Sequence, residues 1–184
     1  MLKEWSTERL VLRQLGHRDA RTVREYGLRS REHFEPWDPL RPADYWERPV
    51  VADRLAFELD LARSGAGLVV YLSHRNDPRR VIGRVAISNV VRGAFQSCTV
   101  GYGLAPDATG HGYMTEALSR VIRIAFDELQ LHRVEANIIP RNSASIAVVR
   151  RCGMREEGTA LRYLNIAGAW EDHTRFAITS EEVG

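Results

Sequence analysis

Residues 100–116 constrain this chain more than any other stretch. An alternating run, Val100-Gly101-Tyr102-Gly103-Leu104, passes through a short loop into Gly110-His111-Gly112-Tyr113-Met114-Thr115-Glu116, where a long amphipathic pattern begins. A strand that ends in a glycine turn and opens directly into a helix leaves the helix's first backbone N–H groups without intrahelical partners. The macrodipole adds about half a positive charge at the same end. Glycines at 110 and 112 keep Cβ atoms away from any bulky group approaching those amides. The segment reads as a phosphate cradle, and equally as an ordinary strand-to-helix connection.

What is missing narrows the ligand. A dinucleotide fingerprint needs a third glycine three residues after the second, and that position is Thr115. A P-loop ends in Gly-Lys-Ser/Thr, whereas Lys3 is the only lysine in the chain. Both nucleotide readings therefore weaken.

The chain has 184 residues, 44% of them hydrophobic and 27% charged, which fits one ordinary globular domain spanning 1–184. Cys98 and Cys152 form no CxxC pair, and no two of the six histidines have helical or hairpin ligand spacing, so no disulfide framework and no metal are expected. The first residues lack the apolar core of a signal peptide, and no apolar run reaches membrane-spanning length, so a cytoplasmic protein without membrane contact is expected. Net charge is only +2, yet Arg9, Arg13, Arg18, Arg21, Arg24, Arg29 and Arg31 crowd the N-terminal region. They are either spread over solvated faces or set to meet phosphates. No RNA-binding motif accompanies them, so sequence-specific nucleic-acid binding is not expected.

Periodicity gives a strand over 9–14 and a helix over 19–31, then a proline-rich loop over 34–49. A helix over 51–63 and strands over 68–73, 81–91 and 95–104 follow, joined by turns at Asn76-Asp77-Pro78 and Arg92-Gly93. Apolar residues at 114, 117, 118, 121, 122, 125 and 129 mark one face of a helix. The strand over 133–140 sets Val134, Ala136 and Ile138 on one side and Glu135, Asn137 and Ile139 on the other, and a polar pair on a central strand asks for an explanation. After Asn142 comes a short helix with Ala144, Ala147, Val148 and Cys152 inward, capped by Gly153. Two strands near 158–166 and 170–179 turn at Ala167-Gly168. The expected fold class is α+β: a mixed, mostly antiparallel sheet with helices on both faces and the strands 95–104 and 133–140 at its centre.

Those residues carry a resemblance. The strand at 100–104, the Gly110-His111-Gly112-Tyr113 turn, and Pro140-Arg141-Asn142-Ser143-Ala144-Ser145 through Cys152-Gly153-Met154 resemble the acetyl-CoA motifs of the GNAT acetyltransferases. Thr7-Glu8-Arg9-Leu10-Val11-Leu12-Arg13, His33-Phe34-Glu35-Pro36-Trp37, Asn89-Val90-Val91-Arg92-Gly93-Ala94-Phe95 and Gly168-Ala169-Trp170-Glu171-Asp172-His173 are similar to the RimJ/RimL branch of ribosomal-protein N-acetyltransferases, on its RimJ side. The likeness runs over nearly the whole chain.

The resemblance implies a GNAT fold in which two parallel strands splay and the pantetheine arm of acetyl-CoA enters the gap. It would pair there with the edge at Tyr102, Gly103 and Leu104, while the diphosphate rests on amides of Gly110, His111, Gly112, Tyr113 and Met114. His111 would touch a phosphate or merely face water. Where the family motif often carries Arg or Gln, three residues before the first glycine, this chain has Asp107, whose carboxylate must then point away. Asn142 and Ser145 would sit beside the pantetheine, with N-capping a sufficient reason for Asn142. The tyrosine that many members use as acid falls at Val149, and Ser145 takes that role in RimL-like members; otherwise it is a small helix former. A RimL-like carboxylate aligns with Leu164, so the base stays open between Glu135, whose other reading is a salt bridge to arginine, and an ordered water. Phe34, Glu35 and Trp37 would wall the acceptor groove, or Phe34 and Trp37 would seal a small core.

The implied activity is acetyl transfer to the N-terminal amine, an alanine, of a ribosomal protein such as S5, with a homodimer allowed. Acetylation of a small amine such as an antibiotic or polyamine is the alternative within the same chemistry, and a non-catalytic acyl-CoA-binding or ribosome-assembly module is the alternative outside it.

Overall fold

The computed structural model describes residues 2–183; Met1 and Gly184, the ends of the expected domain, lie outside the described residues. In chain order come β1 (Glu4–Ser6), β2 (Leu10–Arg13), α1 (Ala20–Phe34), α2 (Arg48–Arg63), β3 (Leu68–His74), β4 (Asp77–Val91) and β5 (Ser97–Leu104). Then follow α3 (Tyr113–Asp127), β6 (Arg133–Ile138), α4 (Ser143–Arg151), β7 (Arg155–Ile166) and β8 (Ala169–Thr179). The strands form one sheet in the order β1-β2-β3-β4-β5-β6-β8-β7. Every neighbouring pair is antiparallel except β5 and β6, which are parallel at the centre.

Strand β3 shows why the sheet needs helices on both sides. Its residues Val70 and Leu72 join the larger core with Leu118, Val121 and Ile122 of α3, while Val69 and Tyr71 join a second core with Val23 of α1 and Leu55 of α2. Burying each such aliphatic side chain contributes about 1.5–3 kcal/mol. The inward face read for α3 is the buried one, Met114, Ala117, Leu118, Val121, Ile122 and Ala125 among it. Leu129 lies beyond the helix end at Asp127 and is half-buried.

Several boundaries move. Helix α2 starts at Arg48 with Pro49 in its first turn, where a proline lacks only an N–H that would have no helical partner. The proline-rich loop therefore ends at Glu47, and Phe34 closes α1 instead of opening the loop. Strand β4 begins at Asp77, and β5 begins at Ser97 because Gln96 adopts φ +41° and Phe95 is 51% exposed. Strand β7 begins at Arg155, with Gly158 inside an irregularity between Glu156 and Thr159.

The larger correction concerns α4. The residue it buries fully is Val149; Ala144 is exposed, and Ala147 and Val148 are half-buried. Val148 and Cys152 pack against the larger core as expected, while Ala144, Ala147 and one side of Val148 face inward onto an open cleft between the strands. The helix ends as expected: the Met154 and Gly153 N–H groups donate to the carbonyls of Val149 and Arg150, with Gly153 at φ +82°.

Candidate active site

The central parallel pair comes apart almost at once. β5 and β6 are in register only at Ser97–Arg133, Cys98–Val134 and Thr99–Glu135. Beyond Thr99, β5 remains paired with β4 as far as Leu104, and β6 remains paired with β8 as far as Ile138, so the edges that face each other part without ladder pairing between them, and the Gly103 carbonyl accepts the Tyr26 hydroxyl at 3.2 Å. A cleft of about 1260 Å³ runs through this opening. Alternation along β5 sends the Tyr102 side chain toward α4 and turns Gly103 toward Phe34 of α1, so the two faces of the sheet meet at the gap.

At one end of the cleft lies the turn at 110–116. Gly110 and Gly112 both have positive φ, +82° and +76°, which a side chain would strain. Glu116 donates the first intrahelical bond of α3, to the Gly112 carbonyl at 3.1 Å, which leaves the N–H groups of Tyr113, Met114 and Thr115 as the helix's orphan donors. Gly110, Gly112, Tyr113, Met114 and Thr115 line the cleft, and His111 does not.

Arg9, from the edge before β2, braces this turn. Its guanidinium donates to the His111 carbonyl at 2.9 Å and to Glu116 Oε2 at 2.6 Å, and it stacks 4.7 Å from the Tyr113 ring centre. Glu116 Oε1 also accepts from Thr7 Oγ1 at 2.6 Å and from the Arg9 N–H at 2.8 Å. Burial alone would raise the Glu116 carboxyl, but these donors outweigh it and hold the group below the usual carboxylate range. Asp107 is turned aside: its carboxylate is ion-paired with Arg80 and lies outside the cleft lining.

Across the gap, Asn142 caps α4 by accepting the Ser145 N–H at 3.0 Å. Ser145 Oγ donates to the Tyr102 hydroxyl at 2.7 Å, and that hydroxyl donates to the Ser145 carbonyl at 3.0 Å. Burial pushes the Tyr102 phenol well above its ordinary value, partly offset by the bond from Ser145, so it stays protonated. The pair brings two hydroxyl protons to the point where the strands part. Val149, where a tyrosine acid would stand, is fully buried in the core.

On the other face, α1 and the loop after it form a wall. Phe34 and Trp37 line the cleft; Glu35 is exposed and does not, and the carboxylate that does is Asp38. Tyr45 and Trp46 extend the wall, their rings 4.9 Å apart edge to face, with Arg54 stacked 4.4 and 5.0 Å from the two ring centres. Trp46 sits so closely on α1 that a Cβ on Gly27 would come within 1.9 Å of its ring. The Asp38 carbonyl accepts the Ala167 N–H at 3.0 Å, tying the loop to the β7–β8 turn. Beneath lies buried Glu58, which accepts from Tyr71 at 3.0 Å and Arg84 at 2.9 Å.

Of the two readings of Glu135, base or salt bridge, the structure places it in the second. Its carboxylate accepts from Arg133 Nε at 2.7 Å and Arg175 Nη2 at 3.0 Å, and it lies outside the cleft lining, so the salt-bridge reading holds. The polar partner on the same strand, Asn137, does line the cleft, as does His173 of β8. The sequence reading missed the Arg9–Glu116 brace, the Tyr102 hydroxyl, His173 and the Tyr45–Trp46 wall. Among the described residues no cluster of His, Cys, Asp or Glu is arranged to hold a metal, and no helix is long and apolar enough to cross a membrane.

The family described as "Acetyltransferase (GNAT) domain" matches residues 9–155. The chain is 34% identical over 177 residues to the [ribosomal protein uS5]-alanine N-acetyltransferase of Escherichia coli strain K12, covering 96% of this chain and 91% of that one. It superposes on the ribosomal-protein-S5-alanine acetyltransferase of Vibrio fischeri with a TM-score of 0.92 at 31% identity, over 99% of both chains. With Mycobacterium smegmatis RimJ in complex with CoA-disulfide the TM-score is 0.89 at 36% identity, over 95% of this chain and 83% of that one.

Proposed function

The chain belongs to the GNAT acetyltransferases and takes its acetyl group from acetyl-CoA, and from that premise we propose that it acetylates the N-terminal α-amine of a ribosomal protein, an alanine of uS5 in the first instance. One observation carries the reading: the sheet opens after three parallel pairs, and the opening joins a helix N-terminus with free amides to an aromatic groove on the opposite face. Residues on the unpaired edge of β5, Tyr102 to Leu104, hold the pantetheine through backbone bonds. Orphan amides from Gly110 to Thr115 hold the diphosphate, with Arg9 fixing the turn's shape. His111 contributes its backbone and not a phosphate-binding ring.

In the transfer step, Ser145 hydrogen-bonds the sulfur as negative charge develops there, and Tyr102, kept protonated by burial, restores the proton. Asn142 holds the amide of Ser145 and so fixes its rotamer space. Phe34, Trp37, Tyr45 and Trp46 wall the groove that receives the acceptor's first residues, and the carboxylate on that wall is Asp38, ion-paired with Arg41 at 3.1 Å, in place of Glu35. The whole chain works as one domain, and a ribosomal acceptor places the reaction in the cytoplasm.

Incubation with acetyl-CoA and a peptide carrying the uS5 N-terminal sequence is expected to release free thiol and to add one acetyl group at the α-amine, read by thiol titration and mass spectrometry. A peptide blocked at that amine should be inert. Rapid turnover of a small amine with none of the peptide would replace the acceptor by a small molecule. Tight acetyl-CoA binding with no turnover on any amine would make the protein a binding module.

A further inference from the structure

The acetyltransferase reading leaves unassigned the group that takes the proton from the amine, and the sheet face opposite α4 holds two acceptors, Asn137 Oδ1 and His173 Nε2, without a partner among the described residues. His173 is 3% exposed yet lines the cleft. Its Nδ1 lies 3.0 Å from the Glu171 carbonyl, an oxygen that only accepts, so Nδ1 carries the hydrogen and the lone pair of the neutral ring sits on Nε2. Tyr163 of β7 packs edge-on at 5.6 Å and fixes the plane of the ring. Asn137 of β6 is paired with Arg175, two residues further along β8, so its side chain shares this face with His173. Among the described residues Asn137 Oδ1 is buried with no hydrogen-bond partner, as is Nε of its cross-strand neighbour Arg175, and Asn137 lines the cleft. Leaving a buried amide oxygen unpaired is destabilising, and a ligand N–H would remove that penalty.

We propose that His173 is the general base of the acetyl transfer and that Asn137 Oδ1 accepts a hydrogen bond from the acceptor amine and orients it. The inference rests on the reaction proposed above and adds the missing proton path. The α-ammonium gives one proton to His173 Nε2, which passes it to solvent. The freed lone pair forms the N–C bond at the thioester carbonyl carbon, and the C–S bonding pair leaves with sulfur. The second proton shed by nitrogen restores the one that the Ser145–Tyr102 hydroxyls give to sulfur. Each turnover yields one amide, one thiol and one free proton. Acid and base then stand on opposite faces of the sheet and act through the gap between β5 and β6.

Steady-state kinetics on the full chain, with acetyl-CoA and whichever amine the wild type acetylates, test this. His173→Gln should lower kcat on the order of a hundredfold with acetyl-CoA affinity unchanged, and added imidazole should restore part of the rate in His173→Ala. Asn137→Leu should raise KM for the amine while leaving Tm equal or higher, because it removes an unpaired buried oxygen; a purely structural asparagine would lower Tm instead. Wild-type turnover matched by His173→Gln, or loss of rate with no imidazole rescue in a variant that still binds acetyl-CoA, would overturn the base assignment while the acetyltransferase reading stands. A wild type that acetylates no amine would remove the reading itself.

Discussion

At the scale of single residues, the site turns on two hydroxyls whose partners are each other. Ser145 Oγ has one bond, to Tyr102, and Tyr102 in turn donates to the Ser145 carbonyl. Removing the serine hydroxyl leaves the phenol its carbonyl acceptor, so the fold should lose only about 1 kcal/mol. Ser145→Ala should therefore lower kcat on the order of a hundredfold with little change in acetyl-CoA affinity. Adding Tyr102→Phe to it should cost less than the two single losses combined, since the pair acts as one unit. An unchanged kcat in Ser145→Ala would take the serine out of the mechanism. Ser145 was legible because it stands at a fixed distance from the capping Asn142 in a local motif. Tyr102 was legible only as backbone, and His173 not as a site residue, since a hydroxyl reaching from β5 to α4 and a ring from β8 meet the site through packing that no local spacing encodes. For Glu135 the rival salt bridge was half legible, since Arg133 stands two residues away on its own strand, whereas Arg175 reaches it from β8, 40 residues on.

At the scale of elements, the decisive piece is the start of α3, held by a segment more than a hundred residues earlier. Glu116 gathers Thr7 and Arg9, and Arg9 reaches on to the His111 carbonyl. Because the folded carboxyl is held below its unfolded value, its stabilisation is present above the unfolded pKa, about 4.3, and is lost as pH falls through the folded value. Glu116→Gln should thus be less stable than the wild type by about 1 kcal/mol at pH 7, with the difference shrinking below about pH 5. Urea midpoints at the two pH values measure it; a deficit that stays constant with pH would show that charge is not what holds the brace. Acetyl-CoA should also bind the variant more weakly, since the turn loses a clamp. Periodicity found all four α-helices and seven of the eight strands, missing only the three-residue β1, which is too short to show a pattern. It misplaced ends where a local device overrides the pattern: Pro49 inside a first turn, Gln96 with positive φ, and Gly158 in an irregular register. On α4 it placed Val148 and Cys152 correctly against the core but did not show that Ala144, Ala147 and part of Val148 open on a cleft, because apolar residues facing a ligand cleft look in sequence like residues facing a core.

At the scale of the whole molecule, the sheet consists of two sub-sheets, β1 to β5 and β6 with β8 and β7, stitched by three residue pairs and by the packing of α3 and α4 over the join. That construction exchanges paired backbone for a slot, and it makes the acetyl-CoA binding segment part of what holds the halves together. A ligand that binds only the folded form at a hundred times its dissociation constant adds about 2.7 kcal/mol to stability. For a chain of 184 residues this corresponds to a Tm increase of roughly 5–10 °C. The added protection from hydrogen exchange should be uneven. Amides on the edge at 102–104 and in the turn at 110–115 gain direct partners and should slow most, those of β6 and α4 should slow by closure of the gap, and those of β1, which gives the cleft no residue, should slow only as far as global unfolding does. Coenzyme A without the acetyl group should produce the same pattern, because the contacts lie along the pantetheine and diphosphate. Uniform slowing across all eight strands, or protection centred on the second, smaller pocket beside Trp5 and Glu128, would place the ligand outside the divide between β5 and β6 and remove the physical basis of the transfer step.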